Sequence, residues 1–329
     1  MQECIDAQAI DADDRSKHNE PMQTVTYPVL QTPFHEGEQA LQQDTGAFGT
    51  LSVAGPRVIR SFMPDQHRDF FAQLPWVVLG TVDGAGQPWA SALAGPPGFM
   101  HSPDPQHLVV KAAAPPRQGQ PVGLLGIEPH TRRRNRMNGV VGAVHPDGFT
   151  VQVSQSFGNC PKYIQAREPS WTGAAAGAQP QDLPALDNAA RQRVATADTL
   201  FIATAHPDAA AGAQASHGVD VSHRGGRPGF VRLAQDGRLQ VPDYNGNHFF
   251  NTLGNLLLNP LCGLLFVDYE SGALLQVAAR AELVTDGPLL REHAGALRVL
   301  VLQVLAVRRH GPGALPLAWG PARMSPVLP

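Results

Sequence analysis

Cysteine is scarce in this chain: Cys4, Cys160 and Cys262 are the only three in 329 residues, an odd number at wide spacing. That argues against a disulfide framework or a four-ligand zinc site and fits a reducing compartment. Long apolar runs are missing too. No stretch approaches the roughly 18 consecutive apolar residues that a spanning helix needs, and the opening MQECIDAQAIDADDRSKHNE is polar and acidic, with no apolar segment of the signal-peptide kind. A cytoplasmic protein with no membrane partner is expected. Nor is either charge in large excess, since 25 Lys and Arg against 28 Asp and Glu leave a formal -3. This gives no electrostatic reason to expect a nucleic-acid partner. RRRNR at 132–136 is the one basic cluster, read either as a solvated strand end or as a ligand-facing patch.

What the chain does have is repetition. SALAGPPGFM at 91–100 aligns without a gap on SHRGGRPGFV at 222–231, and VGLLGIE at 122–128 aligns on CGLLFVD at 262–268. Internal repeats set the architecture before any single motif is weighed. Around each copy the pattern reads as short strands: WVVLGTV and QPWASALAG about an Asp83-Gly84 turn, then LVVKA, VGLLGIE, RMNGVVGAV and FTVQVSQS, with TLFIATA, GVDVSHRGG, RLQVPD, CGLLFVD, ALLQVAARAEL and RVLVLQVLAVRR in the second copy. Short helices are expected over 64–74 and about 187–197. The domain reading is a polar extension at 1–50 that carries little core, a first repeat at 51–167, an Ala/Gly/Pro-rich connector at 168–186, a second repeat at 187–310 and a surface tail at 311–329.

Copy two is nine residues longer between the aligned blocks, which start at 91 and 122 in one copy and at 222 and 262 in the other. There it carries NGNHFFNTLGNLLLNP at 245–260, where copy one has only AAPPRQGQP. The longer segment reads as a helix with Asn247 as N-cap and Phe249, Leu253, Leu256 and Leu257 on one face. Its free N–H groups and positive dipole end suit a phosphate. The aligned strand changes in the same sense, Ala92-Leu93-Ala94 becoming His223-Arg224-Gly225. Arg224 offers two parallel hydrogen bonds, Ser222 a hydroxyl, and Gly225-Gly226 room for close approach. The competing reading makes Arg224 a surface residue and the glycines a bulge.

Other constellations are weaker. Gly84-Ala85-Gly86 sits in a hairpin turn, so no dinucleotide fingerprint is present. HEGEQ at 35–39 lacks the second histidine of a zincin helix. His206, His217 and His223 fall on one hairpin with no completing ligand, so no metal is expected. Cys160 beside Lys162 has no legible nucleophile partners.

Taken together, SHRGGRPGFV, PDYNGN, NTLGNLLLNP and GLLFVD resemble the FMN-binding split-barrel proteins related to pyridoxamine 5'-phosphate oxidase, the predicted flavin-nucleotide-binding branch in particular, over most of 50–310. The resemblance implies a mainly β chain of two tandem split β-barrels forming a pseudo-dimer, with FMN in the groove between them. It implies that Ser222, His223, Arg224, Gly225, Asn247, Thr252 and Asn255 meet the phosphate end. A family Cys-Pro-Lys segment is matched by GNCPKYIQ at 158–165, after copy one only, and puts Asn159, Lys162, Tyr163 and Gln165 near the ring or ribityl chain. Arg133 and Arg136 either bring positive charge to the flavin or to an acidic substrate, or face solvent. One of two symmetry-related sites is thus expected to survive. The implied activity is that of a flavin-dependent oxidoreductase taking electrons from NAD(P)H or a reductase protein and acting on a small-molecule substrate; a flavin carrier or redox sensor is the alternative, a haem-handling barrel a weaker one. Two such chains could pair as a homodimer. The family's basic C-terminus has no counterpart in GPARMSPVLP, which sets pyridoxamine phosphate oxidation aside.

Overall fold

A computed structural model describes residues 32–173, 179–212 and 214–328. Residues 1–31 of the expected extension, with Cys4, and 174–178 of the expected connector lie outside the described residues. Three helices come first: α1 (Glu36–Asp44), α2 (Phe48–Val58) and α3 (Asp65–Gln73). The first sheet follows as β1 (Trp76–Val82), β2 (Pro88–Ala94), β3 (Met100–Asp104), β4 (His107–Lys111), β5 (Pro121–Glu128), β6 (Arg133–His145) and β7 (Gly148–Gly158). After β8 (Pro169–Trp171), β9 (Gln181–Leu183) and α4 (Asn188–Thr196), the second sheet is formed by β10 (Thr199–Ala205), β11 (Val219–Gly225), β12 (Arg232–Leu233), β13 (Leu239–Asp243), β14 (Leu261–Val267), β15 (Leu274–Val284) and β16 (Arg298–His310), with α5 (Asn251–Leu258) between β13 and β14 and α6 (Gly287–Arg291) between β15 and β16. β17 (Leu317–Trp319) closes the chain.

The strand orders are β2-β1-β5-β6-β7-β4-β3 and β11-β10-β14-β15-β16-β13-β12. They are one topology used twice, antiparallel throughout, and the chain is a tandem pair of split barrels. Four strands show how the copies join. In β1 and β5, Val77, Leu79, Val122 and Leu124 fill the first barrel, while Trp76, Val78, Leu125 and Ile127 point the other way. In β10 and β14, Leu200, Ile202, Leu264 and Phe266 fill the second barrel, while Phe201, Ala203, Leu265 and Val267 meet the first copy's outward set. These strands are apolar on both faces because both faces are covered, one by their own barrel and one by the other. Each fully buried side chain there contributes about 1.5–3 kcal/mol.

The seam has a pseudo-two-fold relation. A Cβ on Gly123 would lie 2.2 Å from Val219 O, and a Cβ on Gly263, the aligned residue, 2.4 Å from Pro88 O. Val219 and Pro88 are themselves aligned, each opening the second strand of its sheet. The glycine shared by VGLLGIE and CGLLFVD is therefore required by backbone contact between the copies.

Several details differ from the sequence reading. Residues 32–50 contribute core, with Phe34 and Leu41 buried and α1 seated on α5. The connector holds two strands, β8 pairing with β17 and β9 with β16. The expected surface tail is in part core: within 311–328, Leu315 and Leu317 are buried in the shared core beside Trp319. The helix in copy two starts at Asn251, with Phe250 rather than Asn247 at the N-cap. Asn247 Oδ1 instead accepts from Phe249 N, a local turn that competes with helix initiation. Leu253 and Leu256 are buried, but Leu257 is exposed and Phe249 precedes the helix. Among the described residues no helix is long and apolar enough to cross a membrane.

Candidate functional site

One cleft opens at the seam and takes its walls from both copies. Copy one gives Arg134 and Arg136 of β6 and Asn159, Cys160, Lys162 and Tyr163 of the segment after β7; copy two gives Ser222, His223, Arg224 and Gly225 of β11, the end of β13 at Pro242 and Asp243, residues 244–248 and Phe250 of the loop that follows, the first turn of α5, and Arg298.

Strand alternation decides which arginines of RRRNR take part. Side chains two apart share a face, so Arg134 goes with Arg136, and Arg133 goes to the opposite face. Arg133 lies over the Phe70 ring, 4.5 Å from its centroid, and donates to Gln66 O. The expectation that Arg133 belongs to the site is overturned, and Arg134, which the sequence reading passed over, takes its place. The period of two was the signal available.

Arg136 crosses the seam with three hydrogen bonds, from Nε to Val221 O (3.1 Å), and from its terminal nitrogens to Asp220 Oδ1 (3.1 Å) and Ser222 Oγ (2.5 Å). Ser222 Oγ also accepts from Thr252 Oγ1 at 2.8 Å. With both lone pairs occupied, the Ser222 hydroxyl has its one proton left to donate. Asn255 does not reach the cleft: fully buried, it donates to Thr204 and to Asp220 Oδ2, and so ties α5 to the carboxylate that holds Arg136. Gln165 is buried as well, bonded to Gly226 O and Ser325 N. Both residues support the cleft without lining it.

Arg224 faces the cleft already paired, 2.8 Å from Asp243 Oδ1, with Arg298 at 3.7 Å from the other oxygen. The sequence reading gives Arg224 two parallel hydrogen bonds to a phosphate; here one terminal nitrogen is shared with Asp243, while Nε has no partner. Gly225 serves the protein's own chain, because a Cβ there would lie 2.0 Å from Tyr163 O. Arg134, pushed down to about 10 by burial and then by Arg136, stays cationic at neutral pH and bonds to Cys160 O (2.8 Å) and His223 O (3.4 Å). Burial and the same arginine keep His223 neutral, well below an ordinary histidine.

The start of α5 is strained in a useful way. Phe250 is left-handed (φ 60, ψ 19) and is followed by helical Asn251. A left-handed residue followed by a right-handed one turns successive N–H groups to one side, a concavity that suits an anion. The Arg298 guanidinium stacks over the Phe250 ring at 5.1 Å and holds it there. His248 (φ 58) and Tyr163 (φ 67) are also left-handed, so three of the four positive-φ residues other than glycine that are described line this cleft. Four buried polar atoms in the lining have no partner: Asn159 Nδ2, His223 Nδ1, Arg224 Nε and His248 Nδ1. Buried polar groups are rarely left so without a ligand or water to meet them.

The equivalent groove on the other side of the pseudo-two-fold has lost this chemistry. By strand register Leu274 stands for Arg134, Gln276 for Arg136, Ala92 for His223 and Leu93 for Arg224. Gln276 repeats only the architectural contacts of Arg136, donating to Ala90 O (2.7 Å) and Ser91 Oγ (3.0 Å), and His310 bonds to its other end. No helix lies between β4 and β5.

The chain resembles solved split-barrel proteins. These include HupZ of Group A Streptococcus (15% identity, 37% of this chain and 91% of that one, TM-score 0.29), a candidate pyridoxamine 5'-phosphate oxidase from Lactobacillus delbrueckii (17%, 38% and 97%, 0.29) and the heme storage protein HutZ of Vibrio cholerae (17%, 39% and 97%, 0.28). No protein-family model and no curated protein sequence matches the chain.

A second polar cluster joins α1 to the β10–β11 loop, where His35, Glu36, His206 and His217 converge. The arrangement does not favour a metal ion. His35 Nδ1 accepts from Gly37 N and His206 Nδ1 from Asp208 N, so in both rings Nε2 is the protonated nitrogen, the one a metal would need. His206 and His217 are stacked, with centroids 3.7 Å apart and planes at 17°, so their in-plane lone pairs run side by side rather than converging. His223 is not among them; it lies in the cleft.

Proposed function

We propose that the cleft binds FMN, one per chain, and that the protein is a flavin-dependent oxidoreductase. The observation that carries this reading is the anion cradle built once from both copies: the turned N–H groups at Phe250–Thr252, the Ser222 hydroxyl, and Arg136 fixed behind it. Five cations, Arg134, Arg136, Lys162, Arg224 and Arg298, face the pocket with Asp220 and Asp243 as their carboxylate partners, and Arg134 and Lys162 form no ion pair among the described residues. A phosphate monoester would balance that excess at short range. The unpartnered donors Asn159 Nδ2 and Arg224 Nε would meet ligand oxygens. Bound FMN would supply the hydride and electron chemistry; the chain's residues bind, orient and exclude water.

In this assignment Ser222, Thr252 and Arg136 hold the phosphate end, and Asn159, Lys162 and Tyr163 border the rest of the ligand. Tyr163 and Tyr244 stand together at 5.3 Å, with Tyr163 OH tied to Asn245 O. They offer a planar ring an aromatic wall.

The test is the visible spectrum of purified protein before and after FMN addition, with flavin counted per chain. One flavin per chain supports the assignment, two per chain removes the single-site reading, and none removes the cofactor. Repeated turnover with NAD(P)H or a reductase protein and an electron acceptor would then separate an enzyme from a carrier.

A further inference from the structure

The cleft's helix does not stand alone. Helix α1, which precedes the first barrel in sequence, lies against α5 with the two backbones in contact at Gly37 and Gly254: a Cβ on Gly37 would be 2.3 Å from Gly254 O, and one on Gly254 would be 2.6 Å from Glu38 N. Glu38 closes the α1 capping box through His35 N (2.9 Å) and, with its other oxygen, accepts from Nδ2 of Asn251, the first residue of α5 and part of the cleft wall. Gln42 Nε2 reaches Phe249 O at 3.5 Å, and Thr45, the C-cap of α1, lines the cleft itself.

The seat is poor in the contacts that would hold it shut. The buried face of α1 is Gly37, Glu38, Leu41 and Gln42, so Leu41 is its single large apolar anchor. His35 Nε2 and Gln42 Oε1 are buried without partners, and burial, reinforced by Asp220, pushes the Glu38 carboxyl well above its ordinary range. A segment with few apolar contacts and several uncompensated polar groups opens at a lower free energy than the barrel strands beneath it.

We propose that α1 is a strap whose seating on α5 sets the ligand affinity of the cleft, so that ligand binding and α1 docking reinforce one another. The coupling runs through Glu38–Asn251 and the Gly37–Gly254 contact, which fix the first turn of α5 and with it the N–H concavity at Phe250–Thr252. A ligand held there orders the turn and stabilises the seated strap; by linkage, an unseated strap loosens the ligand by the same factor. This rests on the FMN reading of the cleft.

The experiment is hydrogen exchange of the full chain with and without FMN, alongside FMN titration of wild type, Gly37→Ala and Glu38→Ala. FMN is expected to slow exchange of the 36–45 amides at least tenfold. Gly37→Ala, which pushes the backbones apart, and Glu38→Ala, which cuts the Asn251 bond without a clash, are each expected to weaken FMN at least tenfold while strand amides of both barrels keep their protection. Unchanged FMN affinity in Gly37→Ala, or 36–45 amides indifferent to FMN, would overturn the strap while leaving the cofactor assignment standing. Wild type that takes up no FMN would overturn both.

Discussion

Arg136 of the first copy donates to Ser222 Oγ of the second across the seam, at 2.5 Å, and the pseudo-symmetric contact is Gln276 to Ser91 at 3.0 Å. The seam needs a donor at this position, and either residue supplies it. Only the arginine adds a charge.

Arg136→Gln should therefore keep the fold and lose the ligand. The replacement can make the contacts Gln276 already makes, but it leaves the buried Asp220 carboxylate without its cation, so a stability loss of up to about 3–5 kcal/mol is also expected in urea. FMN affinity should fall by about 1.5–3 kcal/mol, the scale of a charged hydrogen bond. Titration by flavin fluorescence quenching checks it, and equal affinity would take Arg136 out of the site.

Arg224→Ala should behave differently, because Arg224 is bound to Asp243 before any ligand arrives. Removing it leaves a buried carboxylate with Arg298 at 3.7 Å as its remaining cation. A loss of about 1–3 kcal/mol in stability is expected, below the roughly 3–5 kcal/mol for stranding a fully buried charge. Arg224→Ala combined with Asp243→Asn should recover part of that loss, as read from urea midpoints.

Gly123→Ala and Gly263→Ala should each strain the seam, since the added methyl meets a backbone oxygen that cannot rotate away. Each is expected to cost at least about 1–3 kcal/mol, the usual scale of overpacking. Thermal unfolding compares them with Gly84→Ala, an exposed turn position with open space around it.

Acid should destabilise the first barrel through His67, which is buried, bonded to Ser156 Oγ at 2.8 Å and lowered to about 4 by burial, then by Arg60 and Arg133. Below pH 6.5 the unfolded chain binds a proton that the folded chain refuses, so this stability is complete above 6.5 and is lost as pH falls toward 4. Between pH 7 and 5 that amounts to about 2 kcal/mol. His67→Gln removes the titration, so the urea stability gap between wild type and variant should narrow by that amount at pH 5. His35, also about 4, acts in the same sense, while Glu38, raised by burial, acts in the opposite one. The comparison at His67 avoids that pair.

The sequence by itself determined the duplication, because two copies of one core obey the same steric rules and keep the same residues at the same contacts; Gly123 and Gly263 are legible as a pair for that reason. It also marked where the copies diverge, at His223-Arg224-Gly225 and in the insertion that carries α5. Tertiary structure decided what those differences do. Whether Arg224 is free depends on Asp243 and Arg298, which arrive from β13 and β16, and whether Arg133 or Arg134 faces the cleft depends on which side of β6 the other barrel covers. The role of α1 was illegible because its partners, Gly254 and Asn251, lie more than 200 residues away. Local pattern records how a segment folds; charge pairing and backbone contact between distant segments are set only when the two barrels close on each other.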